Sequence, residues 1–110
     1  MNVRVQLPAG AAFERALIEA ASKYAMRQDI SAAAETAFLA GVGLAAQAVN
    51  STEPKAIELV LEIGDASVKA TVCAIEPRAP MGAPQLDALA DKATISPPAA
   101  VVISAARNGA

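Results

Sequence analysis

The chain of 110 residues contains no histidine and no tryptophan, and Cys73 is its single cysteine. Without histidine it has no imidazole base, no imidazole metal ligand and no partner to activate a serine nucleophile. One cysteine cannot form an intrachain disulfide or a cysteine-cluster metal site. We therefore expect no catalytic residue, no metal and no cofactor, and we expect Cys73 to be a packed strand thiol.

Aromatic residues make up 3% of the sequence and charged residues 18%, with a net charge of −2. The lysines and arginines are scattered singly, so there is no basic stripe for a phosphate backbone and no stacking platform for bases. We expect no nucleic-acid partner. Hydrophobic residues reach 55%, and ordinary domains carry about 25% charge. Either a partner covers part of the surface, or the surface is simply rich in alanine.

Membrane and export signals are also sparse. The first residues alternate between apolar and polar types, unlike a signal peptide. The stretch 32–49 is apolar, but it carries Glu35, Thr36 and Gln47 and only just approaches the roughly 20 residues that a bilayer requires. We expect a cytoplasmic protein without a membrane span, forming a single domain over residues 1–110.

Hydrophobic periodicity predicts seven elements. The clearest signal is a hairpin, in which Ile57–Ile63 and Val68–Val72 alternate around a Gly64-Asp65 turn. The other predicted elements are a strand at Val3–Leu7, a helix from Ala11 to Arg27, a helix capped by Asp29 or Ser31 that ends at Val49, a short helix at Gln85–Lys92 and a strand at Ala100–Ala105. This order predicts an α/β (α+β) two-layer sandwich, with a mostly antiparallel sheet and its helices on one face.

The predicted helices carry apolar stripes that face the sheet. In the first helix the stripe is Phe13, Leu17, Ala20, Ala21 and Tyr24, and in the second it is Phe38, Val42, Ala45 and Val49. Gly41 and Gly43 weaken the second helix, and two interpretations stay open. They allow close packing on a neighbouring element, or they are neutral positions.

The end of the chain carries a family resemblance. A glycine-led loop at Gly82, a short helix with Leu86 and an Ala90-Asp91 pair precede the closing strand. After two long helices and a hairpin, this order resembles the GHKL-type (Bergerat) ATP-binding domain of the anti-sigma factor serine kinases, which belong to the histidine kinase-like ATPases. The resemblance implies a Bergerat-like fold with a short or absent ATP lid.

The residues that hold ATP in that family are replaced. The resemblance places a vestigial nucleotide pocket at Glu35, Leu39, Ala74, Glu76 and Gly82. Leu39 stands where the family has its Mg²⁺-binding Asn, and Ala74 and Glu76 stand where it has an Asp-x-Gly segment. In any alignment, no Asn follows a Glu by four residues and no Gly follows an Asp by two. Mg²⁺ would lack an oxygen ligand and adenine its polar partner, so we expect no ATP chemistry.

The residues themselves predict a small, non-catalytic α/β domain that associates with other molecules. The resemblance implies a regulatory module, a pseudoenzyme of bacterial transcription regulation. The resemblance implies protein partners: a sigma factor, an anti-sigma antagonist, or a second copy in a homodimer. Pairing of Val3–Leu7 or Ala100–Ala105, or the helix face around Gly41 and Ala45, offers routes to that dimer. The alternative is a divergent nucleotide-binding serine/threonine-protein kinase that acts on an anti-sigma antagonist, with Glu35 as its base. A purely structural domain is the third possibility.

Overall fold

Five strands and three helices follow one another in the part of the chain that the computed structural model describes, which is residues 2–25, 30–89, 93–96 and 99–107. In chain order the elements are β1 (Asn2–Pro8), α1 (Ala11–Ala25), α2 (Ala32–Asn50), β2 (Ala56–Ile63), β3 (Ser67–Ile75), α3 (Ala83–Leu89), β4 (Thr94–Ser96) and β5 (Ala100–Ala106). The predicted cap at Asp29 and the predicted helix ends at Arg27 and Lys92 lie outside the described residues.

The strands form one open antiparallel sheet in the order β1-β2-β3-β5-β4. The hairpin is confirmed, because β2 pairs with β3 from Ile63↔Val68 to Ala56↔Ile75. β4 was not predicted. Its three residues are too few to show a period, and only its pairing with Ala100–Val102 defines it as a strand.

The helices cover one face of the sheet, and the apolar core lies between the two layers. Alternate residues of β2, β3 and β5 point into this core, including Leu59, Val72 and Val101. α2 is the central helix, since it contacts α1, α3, β3 and β5. The predicted two-layer α+β sandwich is therefore confirmed.

The predicted helical stripes build most of the helical side of the core. Phe38, Val42, Ala45 and Val49 of α2 are all buried, as are Leu17 and Ala21 of α1. The side chains of Phe13 and Tyr24 lie outside the described part. By length and composition alone, α2 is also long and apolar enough to cross a membrane. Eight of its residues are buried within the molecule, as in the core helix of a globular domain.

The two glycines of α2 face different layers. A Cβ on Gly41 would lie 3.0 Å from Cγ2 of Ile103 in β5, and a Cβ on Gly43 would lie 3.2 Å from Cδ1 of Ile18 in α1. α2 thus approaches the sheet at Gly41 and α1 at Gly43. Of the two interpretations, these distances favour close packing.

Candidate functional site

The C-terminal end of α2 is tied to the loop that follows β3. Thr52 is fully buried, and its Oγ1 donates a hydrogen bond to the Val49 carbonyl at 2.7 Å. The Thr52 carbonyl accepts from the backbone N–H groups of Arg78 at 2.8 Å and Ala79 at 3.0 Å. The Arg78 Nε donates to the Glu53 carbonyl at 2.8 Å. These bonds satisfy the polar groups that a helix end leaves open.

Gly82, one of the five residues of the predicted vestigial pocket, belongs to the same end of α2. Its N–H donates to Oγ of Ser51 at 2.9 Å, and its carbonyl accepts from the N–H of Leu86 at 3.0 Å in the first turn of α3. The Ser51 hydroxyl in turn donates to the Ala48 carbonyl. Gly82 therefore joins the end of α2 to the start of α3.

Ala74 and Glu76 lie at the end of β3. Ala74 is half-buried against the core, and its N–H donates to the Ala99 carbonyl at 2.9 Å. Glu76 is exposed and adopts a left-handed backbone conformation with φ of 54°. Its Oε2 lies 3.9 Å from the Lys55 Nζ, and because both side chains are exposed this ion pair contributes little stability.

Glu35 and Leu39 lie toward the opposite end of α2. Ser31 caps the helix by accepting a bond from the N–H of Ala34 at 3.1 Å, and Glu35 lies in the first turn, where the helix dipole favours a carboxylate. Leu39 is half-buried against the core. Sixteen residues separate Glu35 from Ser51, which is about 24 Å along the helix axis.

The five residues are thus not gathered at one point. Gly82 bonds to Ser51 at the C-terminal end of α2 and Glu76 pairs with Lys55 just beyond it, whereas Glu35 occupies the first turn. Their assignment to a former nucleotide pocket stays a prediction.

A groove that the sequence did not reveal runs beside the N-terminal half of α2. It has a volume of about 430 Å³ and lies between α2 and β5. Its described lining is uncharged and mostly apolar: Ala34, Ala37, Phe38, Ala40, Gly41, Ile103, Ser104, Ala105 and Ala106. No motif marks such a groove, because it depends on how α2 packs against β5. None of the five predicted pocket residues lines it.

The face of the sheet opposite the helices is the second notable surface, which we call the open face. Its centre is uncharged and half-buried, and it consists of Val60, Thr71, Cys73, Ala100 and Val102. Charges lie toward β1 and the hairpin turn. There Arg4 Nε is 3.9 Å from Glu58 Oε1, and Glu62 stands directly opposite Lys69. Glu58 and Glu62 share this face, and Glu62 is exposed whereas Glu58 is half-buried.

Cys73 sits on the open face as a half-buried free thiol. Burial raises its pKa above the ordinary value, the carboxylate of Glu58 raises it further, and Arg4 partly opposes them. A thiol with a raised pKa is a poor nucleophile at neutral pH, because the thiolate is the reactive form. Cys73 therefore lies on a strand as expected, but it is half-buried on the open face and is not packed in the core.

Among the described residues, no group of three or more histidine, cysteine, aspartate or glutamate side chains is arranged to hold a metal ion. No protein-family model matches the chain, and no curated protein matches it.

Proposed function

We propose that this protein is a non-catalytic regulatory module that binds other proteins through the open face of its sheet. The observation that carries the proposal is the composition of that face. Val60, Thr71, Cys73 and Val102 form an uncharged centre, with charged residues toward β1 and the hairpin turn. An uncharged centre within a polar rim is the usual anatomy of a protein interface.

The chemistry of this face favours a protein over other ligands. Its cations, Arg4 and Lys69, each have an acidic neighbour, Glu58 and Glu62, so they form no positive track for a phosphate backbone. A broad protein surface is the partner that fits such a face.

A second copy of the chain is the first partner that we propose. The open face carries charges of both signs, and two such faces related by a two-fold axis can bring a cation of one copy near a carboxylate of the other. The uncharged centres then pack together and lose their contact with water. Such a homodimer should bury at least roughly 1,000 Å² in total.

The resemblance to the anti-sigma factor kinases suggests the other partners. A sigma factor or an anti-sigma antagonist is the proposed binding protein, which makes the module a component of bacterial transcription regulation in the cytoplasm. The substitutions at Leu39, Ala74 and Glu76 support a regulator that no longer uses ATP.

Titration calorimetry tests this proposal with the purified sigma factors and anti-sigma antagonists of the host. We expect one of them to bind the wild-type protein, and we expect Thr71→Arg to weaken that binding at least about tenfold, because a charge then enters the uncharged centre. Ala33→Lys is the matched control, since Ala33 is exposed on α2, away from the open face.

Absence of binding to every member of both partner classes would contradict the heterologous part of the proposal, as would equal binding by Thr71→Arg and wild type. A parallel titration with Mg-ATP tests the kinase alternative. Micromolar affinity, about −8 kcal/mol, would require intact ligands for the nucleotide and would favour the enzyme.

A further inference from the structure

The structure selects among the routes to self-association that the sequence predicted. β5 lies inside the sheet between β3 and β4, and the α2 face at Gly41 and Ala45 is buried. β1, which contains Val3–Leu7, is the end strand, and in the described part of the chain it pairs with β2 alone. The other segments attach elsewhere: 26–29 joins α1 to α2, 90–92 and 97–98 adjoin β4, and 108–110 follows β5.

The hydrogen-bond ladder shows which backbone groups of β1 face outward. In β3, the N–H of Ala74 donates to the Ala99 carbonyl, on the β5 side, at 2.9 Å. In an antiparallel sheet, successive residues bond to opposite neighbours, so Cys73 bonds to β2, where it stands opposite Glu58. Glu58 therefore faces β3, and the next residue, Leu59, faces β1.

The same alternation continues to the edge of the sheet. Leu59 stands opposite Val5, so Val5 bonds to β2, and the N–H and C=O groups of Arg4 and Gln6 point away from the sheet. Pro8, which has no N–H, falls in the outward set, where an edge strand tolerates proline. Arg4 and Gln6 therefore offer backbone donors and acceptors that another strand can satisfy.

The side chains of β1 are aliphatic toward the helices and polar on the open face. Val3, Val5 and Leu7 pack against the core but remain half-buried, whereas Arg4 and Gln6 are exposed. A further strand with aliphatic residues on the helix side would remove more of this apolar surface from water. β1 itself has that pattern, so it is a suitable partner for its own edge.

We propose that β1 pairs antiparallel with β1 of a second copy, about a two-fold axis beside Val5, and joins two sheets into one. In this register Arg4 of each copy exchanges both backbone hydrogen bonds with Gln6 of the other. On the helix side, Val5 lies beside Val5 of the second copy, and Val3 lies beside Leu7. Aliphatic positions therefore meet aliphatic positions along the whole contact.

Charge complementarity favours this register and this partner. A two-fold axis requires one residue to face its own copy. An axis at Arg4 would place two guanidinium groups side by side, and an axis at Val3 or Gln6 would leave part of β1 without a partner. With the axis at Val5, Arg4 lies beside the neutral amide of Gln6, and Glu58 follows Gln6 in the same row. The cation of each copy thus lies near a carboxylate of the other.

The inference goes beyond the proposed function, because the edge contact is separate from the centre of the open face. Its two-fold axis is perpendicular to the sheet, so the open faces of both copies point to the same side and stay available to their own partners. A contact made by one strand is small, and interfaces of small area are weak. We therefore expect it at about 1 mM, above the concentration at which the open-face dimer forms.

NMR of Thr71→Arg at about 1 mM tests the edge contact, since this variant removes association through the open face. The sample mixes ¹³C,¹⁵N-labelled and unlabelled chains. Val3 and Leu7 are about 13 Å apart within one strand but about 4.5 Å apart between paired copies. We expect an intermolecular nuclear Overhauser effect between their Hα protons. The amides of Arg4 and Gln6 should also exchange more slowly at this concentration than in dilute samples.

Two variants in the Thr71→Arg background test the charge argument. Gln6→Lys places a cation beside Arg4 of the second copy, so it should weaken the edge contact at least about tenfold, as measured by sedimentation equilibrium. Within one chain the new lysine stands opposite Glu58, which is compatible with folding. Ala33→Lys is the matched control, because it adds the same charge on α2 and should leave the contact unchanged.

A Thr71→Arg variant that stays monomeric at about 1 mM would overturn the inference, as would equal association by Gln6→Lys. An intermolecular effect between Val3 and Val5 would overturn the register, and concentration-dependent shifts confined to β4 and β5 would overturn the assignment to this edge. The open-face dimer is judged separately, by comparing wild type with Thr71→Arg in dilute samples, so either proposal can fail without the other.

Discussion

The two ends of α2 differ in how completely the rest of the molecule covers them. At the C-terminal end, Ser51 and Thr52 bond to helix carbonyls and to the loop that leads into α3, and the buried hydroxyl of Thr52 is satisfied. At the N-terminal half, α2 lies beside a mostly apolar groove that it forms with β5. The C-terminal end is closed by hydrogen bonds, whereas the N-terminal half, which we call the open half, borders this groove.

This difference shows which part of the helix layer is used for internal hydrogen bonds and which part has surface that a partner could contact. The closed end uses its polar atoms internally, so it contributes to stability and to the placement of α3. The open half borders a groove whose described lining carries no charge. The following predictions would break or sharpen this contrast.

The largest effect is expected at the open half, from Phe38→Ala. Phe38 is 2% exposed and packs in the core as well as lining the groove. Its truncation should lower the free energy of unfolding by about 3–5 kcal/mol, as measured by urea denaturation. Phe38→Leu should cost much less because it retains most of the apolar volume. A loss below about 1 kcal/mol for Phe38→Ala would show that this half of α2 is not part of the core.

At the closed end, Ser51→Ala should lower the free energy of unfolding by about 1–3 kcal/mol. The substitution leaves the part-buried N–H of Gly82 without its acceptor. Ser104→Ala is the control, because Ser104 is exposed on a strand and surface substitutions usually change stability by less than about 0.5 kcal/mol. Equal denaturation midpoints for the two variants would show that the hydrogen bond between Gly82 and Ser51 does not stabilise the C-terminal end of α2.

A smaller effect should separate Gly41→Ala from Gly43→Ala. Each substitution should stabilise the helix by about 1 kcal/mol, because alanine has a higher helix propensity than glycine. At Gly41 the new methyl group meets the branched Cγ2 of Ile103 at 3.0 Å, whereas at Gly43 it meets the terminal Cδ1 of Ile18, which can rotate away. We expect Gly43→Ala to be the more stable variant by about 1 kcal/mol in thermal unfolding. The reverse order would show that α2 does not pack against β5 in this way.

The smallest effect concerns Cys73, whose raised pKa makes the folded protein hold the thiol proton more tightly than the unfolded chain does. This contribution to stability is present below the unfolded pKa of about 8.5 and is lost as the pH rises through the folded pKa. The rate of alkylation by iodoacetamide should therefore rise only at alkaline pH. Glu58→Gln should shift that rise to lower pH and Arg4→Gln to higher pH. Unchanged profiles would contradict the environment described for the open face.

Much of the fold was predictable, because local periodicity reports burial directly. The β2–β3 hairpin and the stripe from Phe38 to Val49 follow from spacing alone, and Ser31 was recognisable as a helix cap. α3 begins at Ala83, two residues earlier than predicted, and β3 extends to Ile75. Strand and helix ends depend on hydrogen bonds with distant residues, which a local pattern does not report.

The surfaces were harder to predict, because they depend on which elements stop short of their neighbours. β4 pairs with Ala100–Val102, and nothing in the sequence near Thr94 indicates this register. The predicted dimer route through Gly41 and Ala45 meets a buried helix face, since both residues pack in the interior. The vestigial pocket rests on a family resemblance, and it stays a prediction.

Sedimentation equilibrium at tens of micromolar tests most directly the claim that the molecule associates through the open face. The account predicts a dimer mass for the wild-type chain and for Ala33→Lys, and a monomer mass for Thr71→Arg, whose charge enters the centre of that face. A monomeric wild type, or a Thr71→Arg variant that sediments as a dimer, would contradict it.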